Sequence, residues 1–489
     1  MRLANAFGIV GILMVTFLNL HALPSGEKPM RIGTARQLFI DDYVIESRQG
    51  LARTLHHPDR YPGNPVLTGN EPWEKWHASP DGHPLLYDEE TQEFKLWYST
   101  NIYDENSATG DRYRLGYAVS KDGIHWQKPV IGQVAWGGSW NNNLFRWGQN
   151  WMRRGNVIKD LRDPDPNRRF KMTYGDVLSG RIAIVKAYSR DGINWQLNGD
   201  GHPFYVEYQN HNLLGWDPRI DFYVLYVRIA DNPNKIGRST SPDFVTWSAP
   251  EPILAPDPDE QDRGFKGLAA FLYNDLYLGF IWVFDKIQDA DGNPLTVSHA
   301  ELGVSRDGYS WQRVAPNNFF LERGGPSAWD WDGVLPVAPA IHDDKIWIYY
   351  GGWNMPYSSD ASVRAEKGWF ENGQRIQEAT GLATLRLDGF VSLDAGPQIG
   401  TLTTRLLAAP GGNLVVNANA GGELRVELLD ENNQPIKGYS AKDCIPLKSD
   451  GLRQAVRWAN HPNTEALRGH SLKLRFLLRD GSLYAFSFE

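Results

Sequence analysis

Acidic side chains stand at four places where this 489-residue chain enters or follows a run of alternating apolar residues. Two carboxyl groups that flank one bond can divide acid–base catalysis between them, because one donates a proton while the other, ionised, attacks or activates water. Each acid also has an ordinary interpretation as a solvated surface group or, inside a strand, as the partner of a neighbouring arginine. The candidate catalytic residues are Glu74, Asp81, Glu301 and Asp332.

Basic, amide and aromatic side chains occupy comparable positions and could hold a polar substrate. An aromatic ring offers a flat apolar face, although such a ring more often packs in a core. The candidate substrate-binding residues are His77, His83, Arg154, Asn156, His211, Arg228, Lys266, Asp285 and Trp353. Further polar residues of the same connections are Glu207, Asn210, Asn212, Glu260, Asp262 and Asp330.

The elements that must position these side chains form a repeat. The box SKDGIHW (Ser120–Trp126) returns as SRDGINW (Ser189–Trp195), SPDFVTW (Ser241–Trp247) and SRDGYSW (Ser305–Trp311), and a weaker fifth unit, LRLDGFVSL, lacks the Trp. Runs of alternating apolar and aromatic residues before each box have the strand signal. The spacing suits one four-stranded sheet per repeat, so the sequence predicts an all-β chain with a five-bladed β-propeller.

The box itself has a structural explanation. Its Asp can accept hydrogen bonds from backbone amides of a tight turn, its Gly can take a positive φ, and its Trp can pack between sheets. We therefore interpret the box carboxylates as structural rather than catalytic. They belong to Asp122, Asp191, Asp243 and Asp307.

Strand direction separates the other carboxylates into two groups. Because strands alternate in direction within a blade, the turn after the first strand lies on the same face as the box. This excludes Asp88, Asp217 and Asp343 as catalytic residues and leaves the acids of the opposite face, where propeller ligands bind. We assign Asp41 and Asp42 to an N-terminal strand that closes the fifth blade.

Composition limits the partners and the compartment. A net charge of −8 and no long basic cluster argue against nucleic acid, whose phosphates demand a basic surface. Arg2 followed by the apolar run 6–20 predicts an export signal over residues 1–26, too short for a membrane anchor. We expect a secreted or periplasmic protein with no stable membrane insertion after cleavage. Its single cysteine, Cys444, permits no internal disulfide.

Several segments resemble one group of proteins. The residues QLFIDDYVIES (Gln37–Ser47), NPVL (Asn64–Leu67) and DGFVSLDAG (Asp388–Gly396) are similar to those of exported bacterial five-bladed β-propeller glycosyl hydrolases, distantly like families 32, 43, 68, 117 and 130. The box is similar to the sialidase Asp-box. The resemblance implies hydrolysis of glycosidic bonds in an oligo- or polysaccharide by a carboxyl pair. The WMNDPNG, RDP and EC motifs of family 32 are absent, so invertase-like activity is not implied.

The expected domains are a signal peptide (1–26), a catalytic propeller (30–395) and an accessory β-sandwich (396–489), since the last part has short strands without boxes. Two alternatives stay open: a non-catalytic glycan-binding propeller, and a glycoside phosphorylase that holds phosphate with Arg154, Arg228 and Lys266. No metal or other cofactor is expected. The acidic, proline-containing stretches at 163–166 and 257–259 could hold Ca²⁺, but turns explain them better.

Overall fold

The chain is all-β throughout the part that the structure describes. A computed structural model describes residues 28–489 apart from 75, 104–110, 147–152, 179–180, 198–203, 207–209, 230–233, 289–291, 293, 326, 355–369, 372–373 and 376–377. Its helices are two 3-10 turns, Pro166–Arg168 and Glu465–Leu467. Among the described residues, no helix has the length and apolar character needed to cross a membrane.

Four short strands precede the first repeat. They are β1 (Gln37–Leu38), β2 (Ile45–Gln49), β3 (Ala52–Leu55) and β4 (Asp59–Arg60). Only β4 joins the repeats, where it pairs with a strand of the fifth unit, and β1 to β3 join the C-terminal sheets.

Five successive segments each fold into an antiparallel meander. The first contains β5 (Leu85–Asp88), β6 (Glu93–Tyr103) and β7 (Asp111–Ser120). The second contains β8 (Arg153–Lys159), β9 (Phe170–Leu178), β10 (Arg181–Ser189), β11 (Trp195–Leu197) and β12 (Tyr205–Val206). The third contains β13 (His211–Asp217), β14 (Phe222–Ile229), β15 (Lys235–Ser241) and β16 (Glu251–Leu254).

The fourth and fifth meanders share one parallel residue pair, Ser298 with Gly333. The fourth contains β17 (Arg263–Tyr273), β18 (Leu276–Gln288), β19 (Pro294–Ser305) and β20 (Trp311–Arg313). The fifth contains β21 (Gly333–Pro336), β22 (Ala340–His342), β23 (Lys345–Trp353) and β26 (Glu378–Arg386), with a separate hairpin of β24 (Phe370–Glu371) and β25 (Gln374–Arg375).

The N-terminal segment closes the fifth unit at a different place from the one predicted. Arg60 of β4 pairs with Ala383 of β26, and the Tyr61 amide donates to the Leu382 carbonyl at 2.9 Å. Asp41 instead accepts hydrogen bonds from Arg306. The assignment of Asp41 and Asp42 to the closing strand was therefore wrong by about 20 residues, because pairing between distant segments leaves no local mark on the sequence.

The four boxes have the predicted geometry. In the first, one Asp122 oxygen accepts hydrogen bonds from Ser120 Oγ and from the amides of Ile124 and His125, at 2.8–3.0 Å, and Gly123 has φ 72°. The same bonds recur at Asp191, Asp243 and Asp307. One oxygen of each box carboxylate therefore accepts three hydrogen bonds from its own turn.

Contacts at the boxes connect the five units in a closed series. Tyr349 of the fifth unit donates to the carbonyl of Gly123 in the first box at 2.7 Å. The other four links are Trp97 to the Gly192 carbonyl, Lys186 to the Val245 carbonyl, Tyr226 to the Gly308 carbonyl and Tyr273 to the Asp388 carboxylate. Buried apolar clusters fill the space between neighbouring sheets.

Two further antiparallel sheets form the C-terminal part. Their strands are β27 (Val391–Ala395), β28 (Gly400–Thr404), β29 (Leu407–Ala408), β30 (Leu414–Asn419), β31 (Glu423–Leu429), β32 (Asp450–Ala455), β33 (Ser471–Arg479) and β34 (Gly481–Phe488). β1 and β3 join the six-stranded sheet and β2 joins the five-stranded sheet. One buried cluster, which includes Phe39, Trp458 and Phe476, lies between them. The predicted boundary at residue 395 stays a prediction, but β1 to β3 and β27 pair with the C-terminal strands.

Candidate active site

Polar residues meet where the first strands of units one to three begin. The Asn156 amide donates to the His211 carbonyl at 3.3 Å, and its oxygen accepts from the Leu213 amide at 3.0 Å. Asn212 donates to the Gly82 carbonyl at 3.4 Å. Amide side chains therefore hold together the starts of the first strands of units one to three. Asn156 was predicted to bind substrate, and its side chain is instead engaged with backbone groups.

Three side chains converge beside this edge. His77 and Asp81 precede β5, and Glu378 begins β26 of the fifth unit. One ligand atom of each lies within 4.8 Å of the others, and His77 Nδ1 is 3.2 Å from Glu378 Oε2. His77 and Asp81 are buried, whereas the Glu378 side chain is 20% exposed. We call these three residues the acid–histidine cluster.

The backbone ties the two segments of the cluster together. The Ala78 amide donates to the Glu378 carbonyl at 2.9 Å, and the Glu378 amide donates to the Trp76 carbonyl at 3.0 Å. A side chain at Gly69 would have its Cβ 2.2 Å from the His77 amide nitrogen, so only glycine permits this close approach. The position of the cluster is therefore set by main-chain bonds between the first and fifth units.

Two non-glycine residues next to the cluster have left-handed backbone conformations. Trp76, which precedes His77, has φ 64°, and Arg154 has φ 59°. Such conformations cost about 1–3 kcal/mol each and are kept where the surrounding structure requires them, often at functional sites. Arg154 is buried, and its Nε lies 4.0 Å from Asp81 Oδ2. A guanidinium at this distance favours the ionised form of a carboxyl group.

Glu74 supports the cluster without belonging to it. Its buried carboxylate accepts hydrogen bonds from Tyr98 Oη and from Lys128 Nζ, the latter at 2.6 Å. Burial raises the pKa of Glu74, and these two donors oppose the rise. Its backbone carbonyl accepts from the His77 amide at 2.9 Å. The structure therefore gives this predicted catalytic residue a positioning role.

Glu301 lies elsewhere, in a network of ion pairs at the fourth unit. The buried carboxylate accepts from Arg313 Nε at 2.6 Å, from Arg313 Nη2 at 2.8 Å and from the Asn317 amide at 3.0 Å. Glu260 binds the same Arg313, and Arg263 forms two hydrogen bonds with Asp285. This is the arginine pairing that the sequence left as the alternative, and the structure does not bring Glu301 to the cluster.

Asp332 is held next to the cluster by Trp353. The Trp353 indole donates to Asp332 Oδ2 at 2.6 Å, and Trp353 pairs with Glu378 across β23 and β26. Asp332 is fully buried and Trp353 is 8% exposed. These two predicted site residues therefore lie together, with Trp353 in a supporting position. Nearby Asp330 is close to Arg60 and Tyr350, and burial raises its pKa.

The remaining predicted binding residues lie in the first, third and fourth units. His83 Nδ1 donates to the Leu213 carbonyl at 2.7 Å, and burial lowers the pKa of this imidazole. Arg228 and Lys266 are linked through Asn210, which accepts from the Arg228 amide and donates to the Lys266 carbonyl. Asp285 lines a cleft of about 470 Å³ with Arg263 and Lys286. Glu207 lies outside the described residues.

The acid–histidine cluster has the donor atoms that could hold a cation, one imidazole nitrogen and two carboxylate oxygens. The acids of the acidic, proline-containing stretches are already engaged, because Asp163 accepts from Lys171 at 2.8 Å and Asp257 accepts from Arg313 at 3.0 Å. These contacts agree with the prediction of turns at both stretches.

Sequence reasoning missed Glu378. The residue falls in a stretch, 354–379, that reads as a long loop, and its partner residues are about 300 positions away. Its place directly before the strand run of the fifth unit was the available signal, because the other candidate acids were chosen for positions of that kind.

No family model matches this chain, and no curated protein does. Among solved structures, it is similar to β-1,2-mannobiose phosphorylase from Listeria innocua, at 13% identity and TM-score 0.47, over 68% of this chain and 97% of that one. It is similar to a GH130-family glycoside hydrolase structure described as targeting β-1,2 mannosidic linkages in Candida mannan, at 15% identity and TM-score 0.45, over 68% and 94%. A third is the Bombyx mori GH32 β-fructofuranosidase, at 11% identity and TM-score 0.42, over 89% and 94%.

Identities of 11–15% and TM-scores below 0.5 do not establish an activity for this chain.

Proposed function

We propose that this protein is an exported glycan-processing enzyme that cleaves glycosidic bonds with the carboxyl groups of Asp81 and Glu378. The observation that carries the proposal is the convergence of these two acids from different units within 4.8 Å, beside His77 and Arg154. Two carboxylates this close repel each other, so a pair that two separate segments hold together beside a buried histidine indicates a functional site.

The architecture that supports this proposal is a five-bladed β-propeller with a β-sandwich packed beside it. Five meanders, each linked to the next through a box and the last linked back to the first, favour a ring. In a ring the inner strands surround a central channel, and their starts carry the acid–histidine cluster. Two sheets with a common core favour the sandwich.

The proposed reaction is a double displacement. Asp81, whose carboxylate lies 4.0 Å from Arg154 Nε, attacks the anomeric carbon while the bond to the leaving oxygen breaks. Glu378, the more exposed acid, gives its proton to that oxygen. Water then attacks the anomeric carbon and releases Asp81, and Glu378 takes the proton from the water. Retaining glycosidases have carboxyl groups about 5–5.5 Å apart, against 6.5–9.5 Å in inverting ones, so the short separation predicts retention.

His77 and the buried residues behind the pair orient it. His77 Nδ1 lies 3.2 Å from Glu378 Oε2, so the imidazole can donate a hydrogen bond to the carboxylate or accept one from the carboxylic acid. This suits a group that acts first as an acid and then as a base. Glu74 holds the His77 amide, and Trp353 lies across the strand pair from Glu378. Arg228, Lys266 and His211 are proposed to bind substrate hydroxyls at the other blades.

The experiment is product analysis on a panel of neutral plant, fungal and algal glycans. We expect the purified protein to release reducing sugar, and NMR of the first product to give the anomer of the substrate. The Asp81→Asn/Glu378→Gln double variant should be inactive, and Glu89→Gln, which alters an exposed acid of the same unit, should match the wild type.

The same assay distinguishes the alternatives. Product formation that requires inorganic phosphate and yields a sugar phosphate would indicate a phosphorylase, with the basic residues near the site as phosphate ligands. Glycan binding without any product would indicate a binding propeller. Either result would contradict the proposed hydrolysis. Mass spectrometry of the protein from an exporting host tests the signal, and we expect a mature N-terminus near residue 26.

A further inference from the structure

The connection that follows the first box forms an exposed, uncharged hairpin. Residues 130–145 contain no Asp, Glu, Lys or Arg, in a chain with 22% of these residues. The segment has two tryptophans and, between and after them, serine and three asparagines. Its Trp140 side chain is 57% exposed and Val130 is 63% exposed. We call this segment the Trp140 hairpin.

The hairpin is rigid in its hydrogen bonding. Trp136 and Ser139 exchange two backbone hydrogen bonds of 2.8 and 2.9 Å across a turn in which Gly137 and Gly138 have φ 54° and 81°. Two successive positive φ values are those of a type I′ turn, which matches the twist of the flanking strands. Because side chains alternate along a strand, half-buried Trp136 and exposed Trp140 point to opposite faces.

Asn142 fixes the base of the hairpin. Its buried side chain donates to the Val134 carbonyl at 2.7 Å and accepts from the Leu144 amide at 3.1 Å, while its carbonyl accepts from the Ile131 amide at 3.0 Å. The Gln133 side chain donates to the Ile193 carbonyl in the second box, and this hydrogen bond attaches the hairpin to the second unit. The backbone that carries Trp140 is thus fixed before any ligand binds, which lowers the entropy lost on binding.

We propose that the Trp140 hairpin is a glycan-binding platform, separate from the acid–histidine cluster, that takes neutral polysaccharide. An exposed indole gives a flat apolar face for a sugar ring, and neighbouring hydroxyl and amide groups give hydrogen bonds without charge. The absence of charge complements a neutral ligand better than an acidic glycan, a nucleic acid or a membrane surface. The ligand class rests on the proposed carbohydrate function, but the site itself does not depend on the catalytic pair.

The test is affinity electrophoresis in gels that contain soluble β-mannan, xylan or mixed-linkage β-glucan, with a sulfated carrageenan as the charged control. We expect at least one neutral polysaccharide to retard the wild type, and Trp140→Ala to weaken this binding by about tenfold, which corresponds to about 1.4 kcal/mol. Tyr309→Ala, which removes another exposed ring at the fourth box, is the matched control and should bind like the wild type.

Two further measurements keep this inference separable from the proposed activity. Asp81→Asn should keep its retardation, and Trp140→Ala should keep its turnover of a short chromogenic glycoside. Equal retardation of Trp140→Ala and wild type, no retardation by any neutral polysaccharide, or stronger retardation by the sulfated one would overturn the platform. Loss of turnover in Asp81→Asn with retained binding would leave the platform standing whatever the reaction is.

Discussion

Replacement of Glu301 by glutamine separates a structural acid from a catalytic one. The buried Glu301 carboxylate accepts three hydrogen bonds of 2.6–3.0 Å, two of them from Arg313. Removal of one partner from a buried ion pair costs about 3–5 kcal/mol, and we expect about 3 kcal/mol here because the amide keeps one acceptor oxygen. This corresponds to a fall in Tm of roughly 3–4 °C, because a chain of this length unfolds with a large entropy change.

The assay is thermal unfolding followed by circular dichroism, with turnover measured well below the transition. Asp257→Asn is the matched control, because Asp257 binds the same Arg313 from an exposed position and should contribute less than about 1 kcal/mol. We expect Glu301→Gln to lose stability and keep turnover. Unchanged Tm together with a loss of turnover beyond about a hundredfold would refute this reasoning and restore Glu301 as a catalytic residue.

Three other predictions follow from single contacts. Gly123→Ala should lower the Tm more than Gly137→Ala. Both glycines have a positive φ, but only a Cβ at Gly123 would clash, at 2.5 Å from Tyr349 Oη, where the first unit meets the fifth. Equal effects on the Tm would argue against a closed ring. Partial burial acts to raise the pKa of Asp307, but hydrogen bonds from backbone amides outweigh it and lower the pKa from 3.8 to about 2. The ionised carboxylate therefore stabilises the fold above pH 4, and this stabilisation is lost towards pH 2. The Tm difference between wild type and Asp307→Asn should shrink between pH 7 and pH 3, and a constant difference would contradict this. Dialysis against EDTA should leave turnover unchanged, because the imidazole of the acid–histidine cluster already contacts its glutamate; activity restored by one added cation would instead identify a metal site.

Local patterns in the sequence were sufficient for the boxes and the turns. The Asp122 carboxylate accepts from residues within three positions, and Asp217 accepts from Arg219, two residues away, as well as from Tyr277. Interactions between residues this close in the sequence can be recognised from a short motif. The exclusion of Asp217 from catalysis rested instead on strand direction, which places its turn on the same face as the boxes.

Long-range pairing could not be predicted in the same way. Glu378 meets His77 across 301 residues of chain, and Arg60 pairs with Ala383 across 323. Glu301 also looked catalytic because its strand has an acid where burial is expected, and only the packing of Arg313 against it gives the explanation. The inner-edge residues Asp81 and Asn156 were predicted because strand direction alone sends the start of each inner strand to the same face.

The most direct test of the central claim is kcat/KM for Asp81→Asn, Glu378→Gln and Glu301→Gln on the glycan that the wild type cleaves. We expect kcat/KM to fall by about 10²–10⁴-fold in Asp81→Asn and in Glu378→Gln at unchanged Tm, and to stay near the wild-type value in Glu301→Gln. Near-wild-type kcat/KM in both cluster variants would contradict the central claim.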